Sequence, residues 1–243
     1  MPPVDAEFQP VKSADRALDV LEALAATPGR RSLGELSRSL AIPKSSLSGI
    51  LRTMVRRGWV AADETGTRFG LGLRALQVGA SYVDGDEVVA RLAGRLDALA
   101  AEFGETVHLG RLAGAVVTYL AKRESVHPLR LYSAIGRHLP AHATALGKAL
   151  LARRDDAVGV LPLPLPALTP HTITEPSALR AELAAIRLRG WAADREENSI
   201  GIACFAVALT DTDAISISIP TARLTGEVEA RMVAALLAQA RPW

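Results

Sequence analysis

Apolar positions in the first third of the chain recur every three or four residues. Leu18, Leu21, Leu24 and Ala25, behind a capping Ser13, predict an amphipathic helix over residues 14–26 that closes at Pro28-Gly29. Ser32-Leu33-Gly34-Glu35 fits the capping box, in which hydroxyl and carboxylate satisfy each other's backbone N–H groups. It opens a second helix, with a buried stripe of Leu33, Leu36 and Leu40. Pro43 suits the first turn of a third helix over 44–57, whose inner face is Leu47, Ile50, Leu51 and Met54. Two strand-like pieces, 59–62 and 67–71, flank a turn at Gly66. The order is helix, helix, turn, helix, two-stranded wing.

Beyond residue 72 the helical period returns at Leu73, Leu76 and Gly79, and again from 84 to 103 at Val88, Leu92, Leu96, Leu99 and Phe103. A long connecting helix of this kind suits dimerisation or core packing. From Thr106 the period becomes two, predicting strands at 106–112 and 115–123, then at 129–132. Helices are expected at 143–153, at 177–190 behind a capping Ser177, and at 227–240, with strands at 201–209 and 214–219. Alternate prolines from residue 160 exclude helix and inner strand there. The pattern is α+β: a mostly antiparallel sheet with helices packed on it.

Composition is globular, with 49% apolar and 22% charged residues, which excludes disorder, collagen and coiled coil. One cysteine, Cys204, excludes an internal disulfide and a cysteine-rich zinc site, and a cytoplasmic location is expected. The first twelve residues carry acids before any base and no apolar run, unlike a signal peptide, and nothing approaches a membrane span. Net charge is only +2, but residues 30–58 hold seven bases against Glu35, whereas residues 84–243 hold 17 bases and 18 acids. A local positive block beside a neutral remainder marks a nucleic-acid-binding module joined to another kind of domain. Hydroxyls and bases at a helix start donate to phosphates and base edges without blocking a groove. The candidate DNA contacts are therefore Arg31, Lys44, Ser45, Ser46, Ser48 and Arg52, with Arg68 on the wing.

Catalytic patterns are weak. Gly147-Lys148 resembles the end of a phosphate loop, but His142 and Ala149 stand where Gly and Ser or Thr are required. His138 and His142 have ligand spacing, yet Pro140 separates them and no third ligand is near. Asp194-Arg195-Glu196-Glu197 offers no paired acid and base, and Cys204 lacks an adjacent base. No enzyme activity, metal or cofactor is expected. Strand parity puts Ile202, Cys204, Ala206 and Ala208 on one face, and separates Ser216 and Ser218 from Ile215, Ile217 and Ile219. Parity alone leaves open whether the two serines face water or a ligand.

SADRALDVLEAL, LGELSRSLAIPKSSLSGILRTMVRRGWV, RFGLGLRALQVG, LPAHATALGKALLA and GWAADREENSIGIACFAVAL together resemble the IclR family of transcriptional regulators over nearly the whole chain. The resemblance implies a winged helix-turn-helix (residues 1–72), a linker helix (73–83) and a GAF-like effector domain (84–243). It implies a homodimer or homotetramer on palindromic double-stranded DNA under control of a small organic or aromatic acid. Effector binding would then shift the placement of two DNA-reading heads. The implied effector pocket comprises Ala145, Leu146, Asp194, Ile202, Cys204, Ser216 and Ser218, with Leu131 and Leu139 as apolar lining. The chain departs from the family at Gly49, where relatives commonly carry arginine, and in a shorter turn at 210–213. The contrary expectation, an enzyme or metal binder with a vestigial winged helix, lacks a catalytic constellation.

Overall fold

The computed structural model describes residues 9–26 and 28–240; the leader reading falls mostly on residues 1–8, outside them. The chain divides into two units, Met1–Tyr82 and Val83–Trp243. Among the described residues no helix is long and apolar enough to cross a membrane.

In the first unit α1 (Lys12–Ala25), α2 (Leu33–Ser39) and α3 (Lys44–Arg56) enclose a core of Val20, Leu24, Leu36, Ile42, Leu47, Leu51, Met54 and Val60. The capping box at α2 forms as expected, with Ser32 N donating to Glu35 Oε2 at 2.6 Å and Glu35 N donating to Ser32 Oγ at 3.3 Å. Ser13 does not cap α1. The helix starts earlier, on the Val11 carbonyl, which accepts from Ala14 and Asp15. The wing is β2 (Val60–Ala62) and β3 (Arg68–Leu71), joined by a strand the periodicity missed, β1 (Arg31–Ser32). Two residues are too few for a period, and β1 exists because Arg31 and Ser32 pair with Phe69 and Arg68. Gly49 sits on α3 with nothing within 4 Å of an added Cβ. Gly49→Ala is therefore expected to raise stability by about 1 kcal/mol through helix propensity alone, read as a higher denaturant midpoint; an unchanged midpoint would mean the helix gains nothing there.

The connecting helix α4 (Leu73–Asp84) buries none of its residues. Gly85 interrupts the helical run, and Asp86 then caps α5 (Glu87–Phe103), its side chain accepting from Val88 N and Val89 N. The sheet of the second unit has the order β6-β5-β4-β9-β8-β7, antiparallel throughout. Its strands are β4 (Thr106–Ala113), β5 (Val116–Arg123), β6 (His138–Pro140), β7 (Ala192–Arg195), β8 (Ile202–Ala208) and β9 (Asp213–Pro220). The strand expected at 129–132 is absent: β6 occupies the outer edge of β5, pairing Val116 with Pro140 and Thr118 with His138, which leaves 129–132 no ladder to join. Strand β7 was missed because four residues after a helix carry little pattern.

Helix α6 (Ala145–Leu151) is shorter than expected, preceded by a single 3₁₀ turn at Ala141–Ala143 and capped by Thr144. The cap of α7 (Pro176–Arg189) is Glu175 rather than Ser177, because Pro176 already occupies the first turn. Helix α8 (Gly226–Gln239) is capped by Thr225. The two sheet faces bury different cores. Phe205, Val207, Ile215 and Ile217 pack with Leu92, Leu96, Leu99, Met232 and Leu236 of α5 and α8. Tyr119, Ala206 and Ala214 pack with α6 and α7 through Leu146, Leu150, Leu179 and Leu183.

Candidate ligand pocket and DNA interface

In the first unit Lys44, Ser48 and Arg52 recur every four residues along α3, so they share one helix face. With Arg56 they form one wall of a cleft of about 670 Å³ whose opposite wall includes Gly66 and Thr67 of the wing tip. Ser45 and Ser46 are exposed at the start of α3. Arg68 is exposed on β3, and its Nη1 donates to Arg30 O at 3.0 Å. Arg31 is half-buried beside β3. Its guanidinium donates to Ser39 Oγ at 3.0 Å, Glu35 O at 3.4 Å and Ala23 O at 3.5 Å, so it ties α1 to α2.

In the second unit Cys204 pairs with Ser218, Ala206 with Ser216 and Asp194 with Cys204 across β7, β8 and β9. Paired residues share a sheet face, and this one lies under α6. Ser216 and Ser218 are each 2% exposed, so they do not face water. Leu131, Ala145, Leu146, Asp194, Ile202, Cys204, Ser216 and Ser218 line one small pocket there. Leu139 does not reach it; it packs in the core beneath α6. Tyr119, Thr144, Asn198 and Ser199 complete the lining. Tyr119 joins this face from β5, where it pairs with Gly110 across a register shift that leaves Leu120 without a partner on β4. Thr144 was visible as the residue before Ala145, and Asn198 and Ser199 as the continuation of the Asp194 run. The pocket is small, with a volume of about 10 Å³, roughly one water molecule. The Cys204 thiol donates to Ser218 Oγ at 3.2 Å, and its pKa is pushed up by burial and then by Asp194, the opposite of a nucleophile's environment.

Asp194 shapes the loop after β7. Its Oδ1 accepts from Glu197 N at 2.7 Å and Asn198 N at 3.2 Å, while Glu196 is held at φ +64°. Thr172 Oγ1 donates to Glu197 O and Thr169 Oγ1 to Glu196 O, both at 2.6 Å. Inside, Glu197 pairs with Lys148, both side chains being almost wholly buried. His138 and His142 lie on a strand and a 3₁₀ turn, not on one helix, and His142 Nε2 is 3.0 Å from Pro166 O.

Burial, then the neighbouring Glu197, raises the Asp194 carboxyl to about 7, although the Glu197 and Asn198 amides and Lys148 pull it down. An acid whose folded-state pKa lies above its unfolded value holds more protons when folded. Its contribution to stability therefore falls as pH rises from 3.8 to about 7 and is level above that. Asp194→Asn keeps the acceptor for the two amides. The variant is expected to gain on the wild type across that window, by at most about 1.4 kcal/mol per pH unit, measured as urea unfolding against pH. Parallel pH profiles would mean that Asp194 ionises freely.

The family profile described as bacterial transcriptional regulator IclR C-terminal matches residues 80–242, and the IclR helix-turn-helix domain matches residues 13–64. The chain belongs to the IclR family. It is 33% identical over 247 residues to the regulator KdgR of Dickeya chrysanthemi, covering 98% of this chain and 81% of that protein. It is 32% identical over 227 residues to the transcriptional repressor IclR of Escherichia coli strain K12, covering 89% of this chain and 83% of that one. The crystal structure of an IclR transcriptional regulator from Alicyclobacillus acidocaldarius superposes with a TM-score of 0.83 at 28% identity, covering 96% of this chain and 97% of that chain. Like these relatives, the protein is a transcriptional regulator and not an enzyme, with a DNA-binding helix-turn-helix domain followed by the C-terminal domain of the family.

Proposed function

We propose that the protein is a cytoplasmic repressor that binds a palindromic operator as a homodimer or homotetramer and is controlled by a small organic or aromatic acid. Residues 1–72 read DNA, 73–83 link, and 84–243 bind the effector. Within the reader, Lys44, Ser45, Ser46, Ser48, Arg52 and Arg68 face DNA. Within the effector domain the acid lies among Leu131, Ala145, Leu146, Asp194, Ile202, Cys204, Ser216 and Ser218. The observation that carries the effector assignment is the pair of buried hydroxyls on the sheet face beneath α6, 2% exposed each, beside Asp194 and Cys204. Self-association is supported by α4, which buries nothing and leaves Leu73 and Leu76 more than 60% exposed. Repression is supported by the name of the Escherichia coli relative.

An effector acts by binding two states of the regulator unequally, and its effect on DNA affinity equals the effect of DNA on its own binding. The test is selection of genomic DNA fragments by the purified protein at physiological salt, with and without a panel of small acids, and light scattering of the protein alone. Recovery of a palindrome with half-sites in whole helical turns, retention altered by one of the acids, and a dimeric or tetrameric mass are expected. A monomer, or fragments without sequence preference under every condition, would refute the proposal.

A further inference from the structure

Among the described residues, three buried side-chain atoms have no hydrogen-bond partner within the protein: Thr106 Oγ1, His108 Nδ1 and Glu197 Oε2. Glu197 is held by Lys148 through its other oxygen. The remaining two are two residues apart on β4, both wholly buried. Thr106 pairs with Ser218 on β9, and His108 with Ser216. Both therefore stand on the face that carries the pocket serines. Read across β7, β8, β9 and β4, the ladder gives Asp194, Cys204, Ser218 and Thr106. Three members of this polar row line the pocket, and Thr106 extends it by one strand. Tyr119, another lining residue, stacks on the His108 ring with centroids 4.3 Å apart, so the imidazole lies directly against a ring of the pocket.

We infer that Thr106 and His108 form a second subsite of this pocket that receives a hydroxyl of the effector, making the effector a small acid that also carries a hydroxyl. The inference rests on the proposed effector role of the pocket. The choice of a hydroxyl follows from donor and acceptor arithmetic. His108 Nε2 lies 2.7 Å from Ser133 Oγ. If Nε2 donates there, Nδ1 is left as an acceptor; if the serine donates, Nδ1 carries the proton and is left as a donor. A ligand hydroxyl serves either tautomer and also the Thr106 hydroxyl. A carboxylate has no proton to give, and a methyl neither gives nor accepts. Neighbouring strands lie about 4.8 Å apart, so Thr106 is about 5 Å from Ser218 and about 10 Å from Cys204 along the row. A hydroxyl at Thr106 and a polar group at Cys204 would thus be separated by several atoms.

The test is calorimetric titration of the full chain with butyrate against 4-hydroxybutyrate, hexanoate against 6-hydroxyhexanoate, and benzoate against 4-hydroxybenzoate. In at least one pair the hydroxy acid is expected to bind about tenfold tighter, because a site left with unpaired polar groups rejects the analogue that lacks the hydroxyl. Thr106→Val should reduce that preference to within about twofold, and Thr106→Ser should keep it. Without ligand, Thr106→Val should melt about 2–4 °C higher, since it removes an unsatisfied buried hydroxyl. If that variant does not fold, Thr106→Ala gives the same comparison of preferences. A preference that survives in the valine or alanine variant while Ser218→Ala weakens binding of every acid overturns the subsite and leaves the pocket assignment standing. If no acid binds the wild type, or Ser218→Ala changes nothing, the pocket assignment itself fails and the subsite with it.

Discussion

Lys148→Ala is expected to destabilise the second unit by about 3–5 kcal/mol, because it removes one partner of a buried ion pair and leaves the other charge uncompensated. Lys148 is 1% exposed and lies on a helix every residue of which is buried. Glu197 is its partner, and Glu197 Oε2 already has no other hydrogen bond. The carboxylate cannot swing to solvent, for its backbone is fixed from both sides: its N–H donates to Asp194 and its carbonyl accepts from Thr172. Solvation is closed to it, so the cost is a desolvated charge with nothing opposite. The double variant Lys148→Met/Glu197→Gln removes both charges at similar volume and should recover most of the loss. Urea unfolding of the wild type, the single variant and the double variant checks this. A loss below about 1 kcal/mol in the single variant, the size typical of an exposed pair, would mean that water reaches Glu197.

The same ion pair shows where sequence reasoning stops. Gly147-Lys148 is visible as an imperfect phosphate-loop ending, and the imperfection is a sound reason to reject that chemistry. What the two residues do instead depends on neighbours remote in sequence. An added Cβ at Gly147 would lie 2.2 Å from the Ala141 carbonyl oxygen, so the glycine lets α6 pass its own preceding turn. Lys148 meets a carboxylate 49 residues later. Periodicity worked where one face of an element is buried and the other wet, as in α3; in α1 it found the helix but not its face, because Leu18 and Ala25 are exposed and Val20 is buried. Parity worked for β8 and β9, where isoleucines alternate with serines. It could not say that both faces of β9 are buried, because that follows from α6 lying on one side and α5 and α8 on the other. Charge counting found the basic block, but a count carries no direction, and the Arg31 guanidinium is engaged by Ser39, Glu35 and Ala23.

That difference between counting charges and aiming them separates two kinds of basic residue in the first unit. Lys44→Ala and Arg52→Ala are each expected to weaken operator binding about tenfold, the cost of a lost hydrogen bond to a charged group. Each should also lower the slope of log affinity against log salt by about one, because one fewer phosphate contact releases one fewer counterion. Both side chains stand on one face of α3 and line the cleft that the wing tip closes, where a groove-inserted helix presents its donors. Arg31→Ala should behave differently. Its guanidinium bonds Ser39, Glu35 and Ala23, so removing it should lower the melting temperature and leave the salt slope as in the wild type. Fluorescence anisotropy on a selected fragment between 50 and 200 mM salt, about the range over which counterion release changes affinity most usefully, reads the slope, and calorimetry reads the melting temperature. Unchanged slopes in Lys44→Ala and Arg52→Ala would move the DNA to another face of the domain. A slope lowered by Arg31→Ala would mean that the arginine leaves its internal partners when DNA binds.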